Sequence, residues 1–179
     1  MTAEKGSWVF AYGSLMHPPS AYLSVGRTIR PLPATLKGWQ RTWNAVTDNS
    51  ISNTYRCPSC LGVIDKHVAV TNMIPNPDGS IPGACFWVSP EEMAFLTERE
   101  QRYNCLEISA SNFIFDQELP IAKTLFAWER KIEFCYQQGQ CPVIPSDYIS
   151  SCLHGMQVTW GQAGGQLFAQ STITPEGSL

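Results

Sequence analysis

Charge is what this sequence has least of. Only 15% of its 179 residues are charged, 12 Lys and Arg against 15 Asp and Glu, for a net charge of −3. Globular domains average about a quarter. The basic residues are scattered, without the cluster that a nucleic acid or an anionic membrane surface needs, so neither partner is expected. No apolar run approaches the roughly 20 residues that cross a bilayer. Met1 to Gly6 shows no basic segment followed by an apolar one. A signal peptide is therefore not expected, and a cytoplasmic location is. A second Cys-x-x-Cys is also missing. Cys57-Pro58-Ser59-Cys60 stands alone, Cys135 and Cys141 lie further on, and His17, His67 and His154 are scattered. A structural zinc takes four ligands, so no metal is expected. Seven cysteines without a secretory leader do not suggest a disulfide framework. Cys85, Cys105 and Cys152 sit in apolar sequence and are expected to be buried as small hydrophobes.

Apolar residues make up 44% of the chain. That is enough for a substantial core, and one domain over residues 1–179 is expected, peripheral after about residue 161. Strands are expected over residues 7–13, at Leu61–Ile64, Gly83–Val88, Tyr103–Ser109 and Thr124–Trp128. A further one is expected over Ala34–Val46, with a bulge at its glycine. A short helix is expected between His17 and Gly26. Asn76-Pro77-Asp78-Gly79 reads as a turn. The clearest helix starts at Ser89, a good N-cap followed by Pro90 and, three residues on, Glu92; it should run to about Glu100. Ser146 or Asp147 caps another, from about Tyr148 to Leu153. Many strands with few short helices predict an α+β fold, a curved sheet or small β-barrel flanked by helices.

Two places point to chemistry. Trp8-Val9-Phe10-Ala11 reads as a buried strand that breaks at Tyr12-Gly13-Ser14-Leu15. Gly13 permits a sharp turn and close ligand approach, and such a turn can aim backbone N–H groups at an anion. An ordinary turn fits the same residues. The second place is the helix after Ser89. At about 100° per residue, Glu100 falls on the stripe of Met93 and Leu96, whereas Glu98 and Glu91 fall opposite. A carboxylate on a buried face is costly unless satisfied or functional. Burial raises its pKa, which makes a better base near neutral pH. A frayed helix end, or an ion pair with Arg99, Arg102 or Arg41, is the structural alternative.

Phe10-Ala11-Tyr12-Gly13-Ser14-Leu15 near an N-terminus resembles the opening signature of the γ-glutamylcyclotransferase superfamily. Leu96-Thr97-Glu98-Arg99-Glu100 resembles that family's Leu-Asp-x-(Arg/Gln)-Glu, with Thr97 in place of the Asp. Lys37 to Asn44 resembles the Gly-x-x-Arg-x-(Trp/Phe)-Asn strand of bacterial members. Pro145-Ser146-x-Tyr148, with Gly155 seven residues after Tyr148, resembles the late helix, and Tyr103 matches a frequent aromatic. The likeness covers about residues 8–155.

It implies a cyclotransferase-like mixed fold and cyclisation of an L-γ-glutamyl peptide or amine to 5-oxo-L-proline, without a cofactor. It implies Glu100 as the catalytic acid/base, with Glu98 the fallback. Tyr12, Gly13, Ser14, Leu15, Tyr103 and Tyr148 are implied as substrate-binding residues. Two other classes stay open: a γ-glutamyl-binding module without turnover, and an unrelated cysteine hydrolase using His154 or His67.

Overall fold

The computed structural model describes residues 6–48, 67–116, 123–136 and 143–173. Cys57, Cys60 and the strand expected at Leu61–Ile64 lie outside the described residues. The apolar run at the N-terminus forms β1 (Ser7–Ala11), with its last three residues buried. Side chains alternate across a strand. Val9 and Ala11 accordingly join one core cluster, and Phe10 with Tyr12 the other.

Around β1 a mixed sheet curls into a half-barrel. Its strands are β2 (Leu32–Asp48), β3 (His67–Val88), β4 (Tyr103–Ser109), β5 (Phe113–Phe115), β6 (Thr124–Arg130) and β7 (Thr172–Ile173). The order is β4-β6-β1-β3-β2-β5, with β7 beside β2. β1 runs antiparallel to β3 and parallel to β6, so the N-terminal strand lies inside the sheet. The long β2–β3 ribbon carries the bulge expected near Gly38: the register shifts between Lys37 and Trp39, and Gly38 has φ +80°. Asn76–Gly79 does not reverse the chain as its composition suggests. It is the excess opposite Gly38, within a continuous β3, because Trp39 pairs with Pro75 and Lys37 with Ser80.

Among the described residues four α-helices flank the sheet: α1 (Pro18–Val25), α2 (Pro90–Arg99), α3 (Ser146–Trp160) and α4 (Gly164–Gln170). α2 starts as its sequence dictates. The Ser89 hydroxyl accepts from the Glu92 N–H at 3.2 Å, and the Glu92 carboxylate accepts from the Ser89 N–H at 2.8 Å. Leu96 is fully buried, and Glu91 and Glu98 are exposed.

α3 runs seven residues beyond the expected Leu153. Gly155, which argues locally against a helix, is required by packing. A Cβ there would lie 2.7 Å from the Met16 backbone and 2.8 Å from the His17 N. Residues 161–173 are also more integrated than their composition suggests. α4 buries Phe168 beneath the fully buried Arg41, whose guanidinium carbon lies 4.4 Å from the ring centroid. Cys85 and Cys152 are buried as expected. Cys105 is exposed instead, because β4 is the sheet edge and alternation turns the thiol outward.

Candidate active site

A cleft opens where β1 ends. It is lined by Phe10, Ala11, Tyr12, Gly13, Ser14, Leu15, Thr71, Glu100, Tyr103, Trp128 and Tyr148. All seven residues singled out from the sequence meet there, contributed by β1 and its loop, the end of α2, the start of β4 and the first turn of α3. Ala11 closes the strand and Ser14–Met16 makes a single 3-10 turn, with the Met16 N–H donating to the Gly13 carbonyl at 3.0 Å. A helical turn leaves its first N–H groups without an intrahelical acceptor. Here those belong to Ser14 and Leu15, beside the cleft.

Gly13 needs no left-handed backbone; its φ is −132°. The constraint is space. A Cβ at Gly13 would sit 2.1 Å from Thr71 Oγ1 and 3.1 Å from the Tyr148 hydroxyl. That pair is itself fixed. Thr71 Oγ1 and Tyr148 Oη lie 2.8 Å apart, and Tyr148 Oη also accepts from the Thr71 N–H at 3.3 Å. The Tyr148 ring packs edge-on against Trp43, centroids 6.0 Å apart. Tyr103 Oη donates to the Thr71 carbonyl at 3.3 Å, and Tyr12 Oη donates to the Trp128 carbonyl. Burial raises the Tyr12 phenol well above its ordinary value, reinforced by Tyr103, Tyr148 and Glu100. It remains a neutral donor at physiological pH.

Glu100 caps α2. Its N–H donates to the Leu96 carbonyl at 2.9 Å, and its carbonyl accepts from the Tyr103 N–H at 2.8 Å. The side chain is 17% exposed and its Oε1 lies 3.2 Å from Arg99 Nε. Arg99 is thus the ion-pair partner, and Glu100 has both the pairing and the cleft position that the sequence leaves as alternatives. Burial raises the Glu100 pKa, while Arg99 and Arg130 act against that rise. The helix C-terminus, with its negative dipole end, further disfavours the anion. Thr97 donates its hydroxyl to the Met93 carbonyl at 2.8 Å, so the residue that departs from the resembled motif bonds back into the helix.

Sequence reasoning misses Thr71 and Trp128 as cleft residues. Val68 to Ile74 is apolar and partly β-branched, a strand signal that identifies the element but not the cleft-facing Thr71. The thiols are poorly suited to attack. Burial pushes both Cys85 and Cys152 up to about 12, and it raises Cys105 and Cys135 as well. His154 stands edge-on to His17, with ring centroids 5.1 Å apart, and among the described residues no histidine hydrogen-bonds a cysteine. The described residues hold no cluster of three or more metal-ligating side chains. None of their helices is long and apolar enough to cross a membrane.

No family model and no curated protein matches the chain. Solved structures do. A γ-glutamyl cyclotransferase superposes with a TM-score of 0.64 at 11% identity, over 96% of this chain and 90% of that one. An uncharacterized human protein gives 0.62 at 13%, over 97% and 91%. A yeast γ-glutamyl cyclotransferase specific to glutathione gives 0.57 at 14%, over 93% and 97%. The chain shares the fold of these γ-glutamyl cyclotransferase structures.

Proposed function

We propose that the protein is a γ-glutamylcyclotransferase, cyclising an L-γ-glutamyl compound to 5-oxo-L-proline with release of an amine or amino acid. The observation that carries this reading is the meeting, in one cleft, of a half-buried carboxylate of raised pKa with the N–H end of the Ser14–Met16 turn. In the reaction the substrate's own α-amine attacks its γ-carbonyl carbon. Glu100 takes the ammonium proton and returns it to the departing nitrogen as the amide C–N bond breaks. Its raised pKa brings it closer to working pH, where a general base is most effective. The oxyanion that forms on the γ-carbonyl is received by the Ser14 and Leu15 N–H groups. Tyr12, Tyr103 and Tyr148 shape the walls that fold the flexible glutamyl chain into attack geometry, an orientation effect. No step calls for a protein nucleophile, a metal or a cofactor.

The test is incubation with glutathione, γ-glutamyl amino acids and γ-glutamylamines, with 5-oxoproline read by mass spectrometry. Release from at least one of them is expected. Tight binding of a γ-glutamyl compound without release would identify a binding module instead. Release abolished by thiol alkylation would favour a cysteine enzyme.

A further inference from the structure

Behind Tyr103 lies a buried cation that the reaction scheme above leaves unused. Arg130, the last residue of β6, is only 5% exposed and pairs directly across the ladder with Tyr103, the first residue of β4. Its guanidinium carbon sits 4.6 Å from the Tyr103 ring centroid and 5.4 Å from that of Phe134. A cation over aromatic faces is attracted to their electron-rich centres, most strongly when desolvated. The guanidinium donates to the Val46 and Phe134 carbonyls and to the Thr47 hydroxyl. Among the described residues it ion-pairs with no carboxylate. Its backbone is fixed too, since the Arg130 N–H donates to Asn72 Oδ1 at 2.7 Å and Asn72 Nδ2 donates to Asn44 Oδ1 at 2.9 Å.

This clamp reaches Glu100 by two routes. One is mechanical: Arg130 holds the Tyr103 ring, and the Tyr103 N–H holds the Glu100 carbonyl at 2.8 Å. The other is electrostatic. A cation this deeply buried acts through a poorly screened interior.

We propose, resting on the reading of the cleft as a cyclotransferase site, that Arg130 is a positioning residue that braces Tyr103 from behind, holds the Glu100 end of α2 through it, and sets a buried positive charge behind the cleft. Around Glu100 the charged and titratable groups are Arg99 on its own helix, Tyr12 from β1, Tyr103 from β4, Tyr148 from α3 and Arg130 from β6. Burial drives Glu100 towards its neutral acid, which cannot accept a proton. Arg99 and Arg130 oppose it. Arg99 is partly exposed on the solvent side, whereas Arg130 works from the buried interior, where solvent screens little.

The test titrates the Glu100 carboxyl carbon by NMR in the wild type, Arg130→Met and Arg130→Lys, with the pH profile of kcat/KM alongside. Arg130→Gln, a second neutral variant that retains donors, serves where the methionine variant does not fold. The neutral variants should move the Glu100 midpoint up by several tenths of a pH unit, less than the roughly 1–3 units of a contacting ion pair. The acid limb of kcat/KM should move with it, and Arg130→Lys should restore both. An unchanged Glu100 midpoint in a folded neutral variant overturns the proposal, leaving Arg130 a packing residue. A midpoint that moves in a protein that releases no 5-oxoproline upholds the Arg130–Glu100 coupling and discards the reaction.

Discussion

Two glutamates on α2 are placed in opposite circumstances. Glu92 sits in the first turn, where the helix dipole favours an anion. It closes the capping box with Ser89 and pairs bidentately with Arg27, at 2.6 and 3.0 Å. The Arg27 hydrogen bond holds its pKa below the usual carboxylate value against the penalty of burial, and the Ser89 N–H adds to the lowering. Glu100 sits at the other end, where the dipole opposes a negative charge and burial raises the pKa. Eight residues along one helix separate a charge that the fold uses from a charge that the fold tolerates. A carboxylate tolerated at a cost and aimed into a cleft is a candidate for chemistry. One that is fully satisfied serves stability.

The largest effect that would break this contrast is on turnover. Glu100→Gln should keep the fold and lower kcat by about 10²–10⁴-fold, with a smaller change in KM, since proton transfer belongs to the transition state. Glu92→Gln should leave kcat near the wild-type value. Comparable losses from both would erase the distinction.

Gly13 sharpens it from the far wall of the cleft, where shape and not charge is at issue. Gly13→Ala puts a methyl group onto Thr71 Oγ1 and should destabilise by roughly 1–3 kcal/mol, as overpacking does. Thr71→Ala in the same chain should recover part of that loss. Additive penalties, measured by denaturant unfolding, would remove the Gly13–Thr71 contact as the cause.

Glu92→Gln should lower stability by up to about 1 kcal/mol, through the weakened Arg27 pair and the lost first-turn charge, because a glutamine can still close the capping box. For a chain of this size that is about 2–4 °C in Tm.

The smallest effects are in pH dependence, and their signs oppose each other. Glu92 has a lowered folded pKa. Its contribution is present above the unfolded carboxylate value and is lost as pH falls through the folded one. Glu100 has a raised folded pKa. Its contribution is complete below the unfolded value and is lost as pH rises through the folded one. As pH rises from about 4 to 7, the Tm of Glu100→Gln should therefore rise relative to wild type; as pH rises from about 2 to 5, that of Glu92→Gln should fall relative to wild type. Parallel slopes would contradict the assignment of either environment.

What the sequence discloses is largely what is locally encoded. The Ser89–Pro90–Glu92 start of α2, the bulge at Gly38 and the break after β1 each rest on a residue whose own chemistry dictates the conformation. The facing of Glu100 follows from helical period alone. What stays hidden depends on distant partners. Asn76–Gly79 carries a turn's composition, yet the β2–β3 pairing absorbs it as a bulge. Gly155 argues for a helix end, yet contact with Met16 and His17 keeps it inside α3. Gly13 is glycine because Thr71 and Tyr148 crowd it, and neither is near in sequence. Thr71 itself is placed in the cleft by a register that no local pattern reveals.

The most direct measurement is 5-oxoproline release by folded Glu100→Gln, beside wild type and Glu98→Gln, from the γ-glutamyl compound that the wild type turns over best. The account predicts that Glu100→Gln loses release by at least about two orders of magnitude while Glu98→Gln, exposed on the far face of α2, keeps it. Retained release in Glu100→Gln, or its loss in Glu98→Gln instead, would contradict the account.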